Sequence, residues 1–186
     1  MSDRTEPYAT SIRLAVILAL LFAGSTAPGA PAKETADVIK LQPVTFNQWQ
    51  QRLAAYRGEI IIVDFWATWC APCIERFPRM VALHDKYGSA GKIRFVSMCL
   101  DEREDQKAIE RAYDFLVKQR ARFDNFRMDE IIPDAFDKLN LVGIPAVLIY
   151  DQTGRLRYRL TGDNPNKQFT DEDVEAAIKA LLANSR

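Results

Sequence analysis

The chain has little cysteine and almost no histidine, with three cysteines and one histidine in 186 residues. Structural zinc sites use four thiolate or imidazole ligands, and besides Cys70 and Cys73 the chain offers only Cys99 and His84. A second Cys-x-x-Cys spacing is missing from the sequence, so a structural zinc site is not expected. Three cysteines with one close pair also differ from the disulfide framework of a small secreted domain.

The chain also lacks an excess of charge of either sign. It has 25 Lys and Arg residues against 25 Asp and Glu residues. The overall charge therefore gives no reason to expect binding to nucleic acid or to anionic lipid. The sequence contains no internal repeat or low-complexity tract. About 150 residues follow the N-terminal segment, which suits one domain with a substantial core.

Residues 1–32 have the composition of a targeting segment. Arg4 and Arg13 come before or at the start of an apolar stretch at 14–23, and small residues and prolines follow. This stretch is shorter than the roughly 20 residues of a membrane-spanning helix. We therefore favour a cleaved signal peptide over a retained membrane anchor, and we expect an extracytoplasmic protein, in the periplasm if the source is bacterial. Lipid attachment has no acceptor here, because no cysteine precedes Cys70.

The most informative motif is a Cys-x-x-Cys pair that follows an apolar run. Residues 59–66, EIIIVDFW, are typical of a buried central strand, and residues 73–87 are compatible with a helix. This order places Cys70 at a helix N-terminus, where free N–H groups and the helix dipole favour a thiolate. Cys73, one turn further on, can attack a mixed disulfide formed by Cys70. The pair predicts redox chemistry on thiols, with Cys70 as nucleophile and Cys73 as resolving thiol.

The stretch 61–73, IIVDFWATWCAPC, resembles the active-site segment of the thioredoxin superfamily, and its ATWC and PC most resemble the TlpA-like, extracytoplasmic branch. Asp64 matches the buried carboxylate of that family, and Pro78 matches the proline that kinks the active-site helix. Residues 142–150, VGIPAVLIY, resemble the family segment whose proline is cis and faces the cysteines. Together these motifs are much more specific than Cys-x-x-Cys alone.

The resemblance implies a thioredoxin-like α/β fold for residues 33–186. The expected architecture is a central mixed sheet flanked by helices, with a central helical insertion before the cis-proline. It also implies a protein thiol-disulfide oxidoreductase that needs no metal or organic cofactor. The TlpA-like branch favours a reductant, and a reductant in an oxidising compartment needs a membrane electron donor.

The family likeness gives Asp64 the task of moving a proton for the resolving thiol. A carboxylate in an apolar strand loses hydration, which raises its pKa and suits it to accept a proton near neutral pH. A satisfied buried carboxylate without a role in the reaction is the alternative.

Four residues are expected to contact the partner protein. A cis bond at Pro145 turns the backbone of Ile144 toward an extended partner segment, whereas a trans proline that opens a strand is the alternative. Trp69 offers a flat apolar surface beside the nucleophile, with simple core packing as the alternative, and Trp66 is assigned to the core. Pro72, between the cysteines, is assigned to the same contact surface.

Two positions depart from the family pattern. TlpA-like proteins often have Glu three residues after the second cysteine, where this chain has Arg76, with Glu75 one place earlier. Thioredoxin has a lysine in the next strand near its buried aspartate, and the corresponding residue here is Ser97. Proton transfer through Asp64 is therefore expected to involve water or another partner.

Hydrophobic patterns predict the remaining elements. Strands are expected at 38–44, 59–66, 93–100, 146–150 and 156–160, and helices at 45–56, 73–87, 101–119, 129–139 and 170–182. In the third helix, Ile109, Tyr113, Leu116 and Val117 are predicted to share one apolar side. Residues 122–128 are assigned to the long connection before Pro145. Cys99 most resembles a small buried hydrophobe; the alternative is a thiol near the Cys-x-x-Cys that pairs with it or modulates it. His84 is assigned to a helix surface or to a satisfied histidine.

The expected partners are protein thiols or disulfides. The expected state is a monomer, either soluble after signal cleavage or anchored in the membrane. Two other functions remain open. One is a thioredoxin-like module that binds a partner or copper(I) through the two cysteines. The other is a thiol peroxidase, although such enzymes use a Thr-x-x-Cys setting and this chain has Ala67 three residues before Cys70.

Overall fold

The computed structural model describes residues 39–162 and 168–184. The strands are β1 (Gln42–Val44), β2 (Ile60–Trp66), β3 (Ile93–Cys99), β4 (Asp124–Met128), β5 (Ala146–Tyr150) and β6 (Leu156–Thr161). The helices are α1 (Phe46–Ala55), α2 (Ala71–Tyr87), α3 (Gln106–Gln119), α4 (Ile132–Leu139) and α5 (Asp171–Ala183). The predicted signal or anchor segment, 1–32, lies outside the described residues. No helix in the described part of the chain is both long and apolar enough to cross a membrane.

The strands form one mixed sheet in the order β1-β4-β3-β2-β5-β6. The first four strands in that order are parallel to one another. Strand β5 is antiparallel to both β2 and β6. The predicted thioredoxin-like α/β architecture with a central mixed sheet is confirmed.

Helices cover both faces of β2, and all seven of its residues are buried. Because side chains alternate along a strand, Ile61, Val63 and Phe65 lie in a core that also contains Trp49 of α1 and Leu139 of α4. The alternate residues Ile60 and Ile62 lie in a second core. That core includes Met80 of α2 and Ile178 of α5. Asp64 continues the second series, so it points toward α2 and α5.

Two helix starts follow the capping rules. The Thr45 side chain accepts a hydrogen bond from the Gln48 backbone N–H at 3.3 Å, and the Gln48 side chain accepts from the Thr45 N–H. Thr170 and Asp173 form the same reciprocal pair at the start of α5. These caps fix the predicted starts of α1 and α5.

The predicted inner face of α3 is confirmed for Leu116 and wrong for Tyr113 and Val117. The buried residues are Ala108, Ala112 and Leu116, whereas Tyr113 and Val117 are 44% and 45% exposed. Phe115 of α3 packs against Trp66 and Phe77, with ring centroids 5.1 and 5.0 Å away, so the buried side of the helix is rotated from the predicted one. The helix also begins later than predicted, at Gln106 with Asp105 as its N-cap.

The segment assigned to a connection contains a strand. Residues of β4 pair with β1 on one side and with β3 on the other. Its sequence, Asp-Asn-Phe-Arg-Met, includes charged residues. Arg127 is nevertheless buried and its guanidinium contacts Asp129 at 3.1 Å. A polar strand of this kind gives no apolar run from which to predict it.

The corrected face of α3 can be tested by two truncations one residue apart. Leu116→Ala should lower the free energy of unfolding by about 2–5 kcal/mol, because it removes a fully buried side chain. Val117→Ala should change it by less than about 0.5 kcal/mol, because that side chain is half exposed. Urea denaturation of both variants measures the difference, and equal losses would contradict the packing described for α3.

Candidate active site

The cysteine pair lies at the junction between β2 and α2. Cys70 is the N-cap of α2, and its backbone N–H donates to Ala67 O at 3.1 Å, which closes a turn after the strand. Cys70 and Cys73 form a disulfide with a Cα–Cα separation of 5.3 Å. The Cys70 carbonyl accepts from Ile74 N–H at 3.1 Å. The predicted strand-to-helix setting of the pair is therefore present.

Both cysteines belong to a buried cluster, and Cys70 is slightly more exposed to solvent than Cys73. Cys70 is 5% exposed and Cys73 is 1% exposed. The aromatic side chains of Trp66 and Phe77 pack in this cluster with ring centroids 5.1 Å apart. Trp69 points the other way and is 59% exposed. A broad apolar side chain therefore stands at the surface directly before the first cysteine.

The loop before β5 contacts the same cluster. The Ile144–Pro145 peptide bond is cis. Ile144 packs against the cluster that contains both cysteines. Gly162 N–H donates to Pro145 O at 2.9 Å and joins the loop to the end of β6. Val142, in the same loop, is exposed. The residues expected to contact a partner thus meet at one end of the sheet.

Asp64 is buried beneath α2 and forms an ion pair with Arg76. Arg76 Nη1 donates to Asp64 Oδ1 at 2.6 Å. Burial raises the pKa of Asp64, the Arg76 guanidinium opposes that shift, and Asp171 adds to it. Ser97 lies opposite Asp64 in the sheet register, but its hydroxyl donates to Asn125 at 2.8 Å. The partner of the carboxylate is therefore a cation from the active-site helix, at the position where the chain departs from the TlpA-like pattern.

Sequence reasoning missed a second buried carboxylate, Asp101. Its Oδ1 accepts from the Thr68 backbone N–H at 3.0 Å and from Thr68 Oγ1 at 2.9 Å. Its Oδ2 accepts from Cys99 Sγ at 3.2 Å. Hydrogen bonds to a carboxylate are stronger than neutral ones. Asp101 therefore holds the turn between β2 and the cysteines, as a positioning residue. An acidic residue two positions after β3 was the one available signal.

Cys99 and His84 are the remaining thiol and imidazole side chains, and both pack against other residues of the protein. Cys99 is a fully buried free thiol, and burial raises its pKa well above the usual range, with Asp101 adding to the rise. His84 packs against Phe95 and Phe123, with ring centroids at 5.6 and 5.2 Å. Within residues 39–162 and 168–184, no group of three or more His, Cys, Asp or Glu side chains is placed to bind a metal ion.

Comparisons with known proteins agree with this geometry. A family model for a thioredoxin-like domain matches residues 48–172. The chain is 27% identical over 133 residues to the thiol-disulfide oxidoreductase ResA of Geobacillus kaustophilus, covering 71% of this chain and 68% of that protein. It is 25% identical over 158 residues to the thiol:disulfide interchange protein HelX of Rhodobacter capsulatus, covering 85% and 81%.

A solved structure is similar as well. It belongs to a protein of Chlorobium tepidum that is provisionally named thiol:disulfide interchange protein DsbE. The two structures superpose with a TM-score of 0.55 at 28% identity. The match covers 70% of this chain and 84% of that one.

The role of Asp101 can be tested by removing its acceptor oxygens. Asp101→Ala leaves two partly buried Thr68 donors without their acceptor, which should cost about 1–3 kcal/mol of unfolding free energy and slow disulfide exchange. Asp101→Asn keeps one acceptor oxygen and should lose less of both. Asp114→Ala, an exposed carboxylate on α3, is the matched control. Urea denaturation and exchange rates measure the effects, and an Asp101→Ala protein equal to that control would refute the positioning role.

Proposed function

The chain belongs to the thioredoxin-like domain family and is a TlpA-like protein thiol-disulfide oxidoreductase; on that premise we propose that it reduces disulfides of other proteins outside the cytoplasm. The observation that carries this proposal is the Cys70–Cys73 disulfide at the N-terminus of α2. In its reduced form the pair gives up two electrons and becomes this disulfide, while a partner disulfide becomes two thiols.

The two cysteines have different tasks in this proposal. Cys70 attacks, because it caps α2, where the helix dipole favours the thiolate, and because it is the more exposed of the two. The attack forms a disulfide between Cys70 and one partner sulfur and releases the other. Cys73 then attacks Cys70, which closes the internal disulfide and releases the second partner thiol. Asp64 accepts the proton that Cys73 loses.

The contact surface for the partner is formed by Trp69, Pro72 and the loop backbone at Ile144 and Pro145, because the Pro145 side chain is buried. Trp69 and Pro72 are exposed next to the cysteines, and Ile144 packs against the cysteine cluster from the opposite loop. An extended partner segment that lies between them brings its disulfide to Cys70. The flat indole supplies apolar contact area without requiring a specific partner side chain, which suits an enzyme with several protein substrates.

The location and direction of the reaction rest on the N-terminal segment and on the family branch. We assign residues 1–32 to a signal peptide or anchor and 33–186 to the catalytic domain. The TlpA-like branch supports reduction rather than oxidation. A membrane dithiol donor then returns two electrons to the pair after each turnover.

The catalytic roles predict different defects for the two cysteines. In an insulin-reduction assay, both Cys70→Ser and Cys73→Ser should lose turnover. Only Cys73→Ser should accumulate mixed disulfides with partner proteins, because its resolving attack is lost. Alkylation of the reduced protein at neutral pH should label Cys70 first. Faster labelling of Cys73 would reverse the assigned roles, and a reduction potential closer to about −120 mV than to about −270 mV would contradict a reductant.

The proposed location predicts export by the N-terminal segment. Residues 1–36 fused to a reporter that is active only outside the cytoplasm should give an active reporter. The same fusion with Leu18→Arg is the matched control, because a charge in the apolar stretch should block export. The N-terminus of the exported protein distinguishes a cleaved signal from an anchor. An inactive reporter on the unaltered segment would reject the extracytoplasmic location.

A further inference from the structure

Arg76 of α2 joins this helix to β2 and to the start of α5. From α2, its Nη1 donates to Asp64 Oδ1 at 2.6 Å and its Nη2 to Asp171 Oδ1 at 3.5 Å. Its guanidinium carbon lies 4.6 Å from the ring centroid of Phe169. The side chain is only 12% exposed. Two carboxylates and an aromatic ring therefore fix the guanidinium in one position.

The two oxygens of the Asp64 carboxylate differ in their hydrogen bonds. Oδ1 accepts the short hydrogen bond from Arg76. Oδ2 is buried and has no hydrogen-bond partner among residues 39–162 and 168–184. A buried acceptor without a donor is unfavourable, because it has lost water and gained nothing in exchange. Oδ2 is therefore a free proton acceptor inside the protein.

The resolving thiol lies on the same part of α2. Cys73 precedes Arg76 by three residues, and residues three apart are neighbours on a helix surface. The strand neighbours of Asp64 are Ser97 and Val147, and neither carries a charge. The charged groups that act on Asp64 are Arg76 from α2 and Asp171 from the start of α5. The charge state of Asp64 therefore depends on these two residues.

We propose that Arg76 is a positioning residue of the exchange reaction, which holds Asp64 through Oδ1 so that Oδ2 receives the proton of Cys73. This inference rests on the proposed thiol-disulfide function. In the step, the Cys73 S–H bond breaks and its proton passes to Oδ2. The sulfur forms a bond to Cys70, and the Cys70–partner bond breaks with its electron pair on the departing partner thiolate. The partner is reduced and the cysteine pair is oxidised.

The resolving step can be separated from the first attack by rapid mixing of the reduced protein with an aromatic disulfide that releases a coloured thiolate. The first release reports attack by Cys70, and the second reports attack by Cys73. In Arg76→Gln the second release should slow about tenfold at pH 7, because Asp64 without its cation stays protonated to higher pH. The first release should change by less than about twofold.

The pH profile supplies the readout that a purely structural role does not affect. The rate of the second release should rise with pH in every variant, with its midpoint at higher pH in Arg76→Gln. Arg76→Lys, which keeps the positive charge, should recover most of the rate. Asp171→Asn should move the midpoint in the opposite direction, to lower pH, because Asp171 raises the pKa of Asp64. This variant tests the proposal even if Arg76→Gln does not fold.

Arg79→Gln is the matched control. Arg79 lies one turn further along α2, contacts Asp171 at 2.7 Å and is 68% exposed, so it shares a partner with Arg76 without touching Asp64. Its two release rates should equal those of the wild type. If Arg76→Gln gives the same rates and midpoint as Arg79→Gln, or Asp171→Asn leaves the midpoint in place, the role of Arg76 is rejected while the oxidoreductase function stands. A wild type that shows no second release would reject the function itself.

Discussion

The buried carboxylate of Asp64 is the constraint on which the active-site half of the molecule depends. Strand β2 is covered on both faces, so a charge on it is tolerated only if an opposite charge reaches it. That charge comes from Arg76, twelve residues later. The buried residues of α2, which include Cys73, Phe77 and Met80, place one side of the helix on the sheet. The ion pair joins the same turn of α2 to β2, because Cys73 lies one turn before Arg76.

Two buried aspartates near the cysteines illustrate two uses of the same side chain. Both oxygens of Asp101 accept hydrogen bonds, from Thr68 and from Cys99, so this carboxylate is satisfied and holds the turn in place. Asp64 has one oxygen paired and one oxygen without a partner among the described residues. A fully bonded carboxylate stabilises one conformation, whereas a partly bonded one keeps an oxygen for a proton. This difference in hydrogen bonding supports the different roles proposed for the two carboxylates.

Features that depend on neighbouring residues were predictable from the sequence. The apolar run of β2, the Thr45 and Thr170 caps and the position of Cys70 at a helix start all follow from local patterns. Features that depend on distant contacts were not. The ion pair between Arg76 and Asp64 joins α2 to β2. The hydrogen bonds that Thr68 donates to Asp101 join residues 33 positions apart. No periodicity reports such contacts.

The misassigned face of α3 has a related physical reason. Large apolar side chains were expected to define its inner face, but Ala108 and Ala112 lie there and Tyr113 does not. Sequence patterns report how apolar a residue is, whereas the structure also depends on how closely two elements approach. In α3 the side chains that meet the cysteine cluster are Ala112, Phe115 and Leu116, a set that combines one small and two large residues.

Cys99, the third cysteine, lies near the redox pair but is not suited to take part in thiol exchange. Cys99 packs in the same buried cluster as Cys70 and Cys73. Thiol exchange needs a thiolate and access. Burial and the adjacent Asp101 raise the pKa of Cys99, and its S–H donates to that carboxylate at 3.2 Å. Cys70 has the opposite setting, a helix N-terminus next to an exposed indole. The fold therefore keeps Cys99 protonated and enclosed, in the same cluster as a cysteine that lies at a helix start beside an exposed indole.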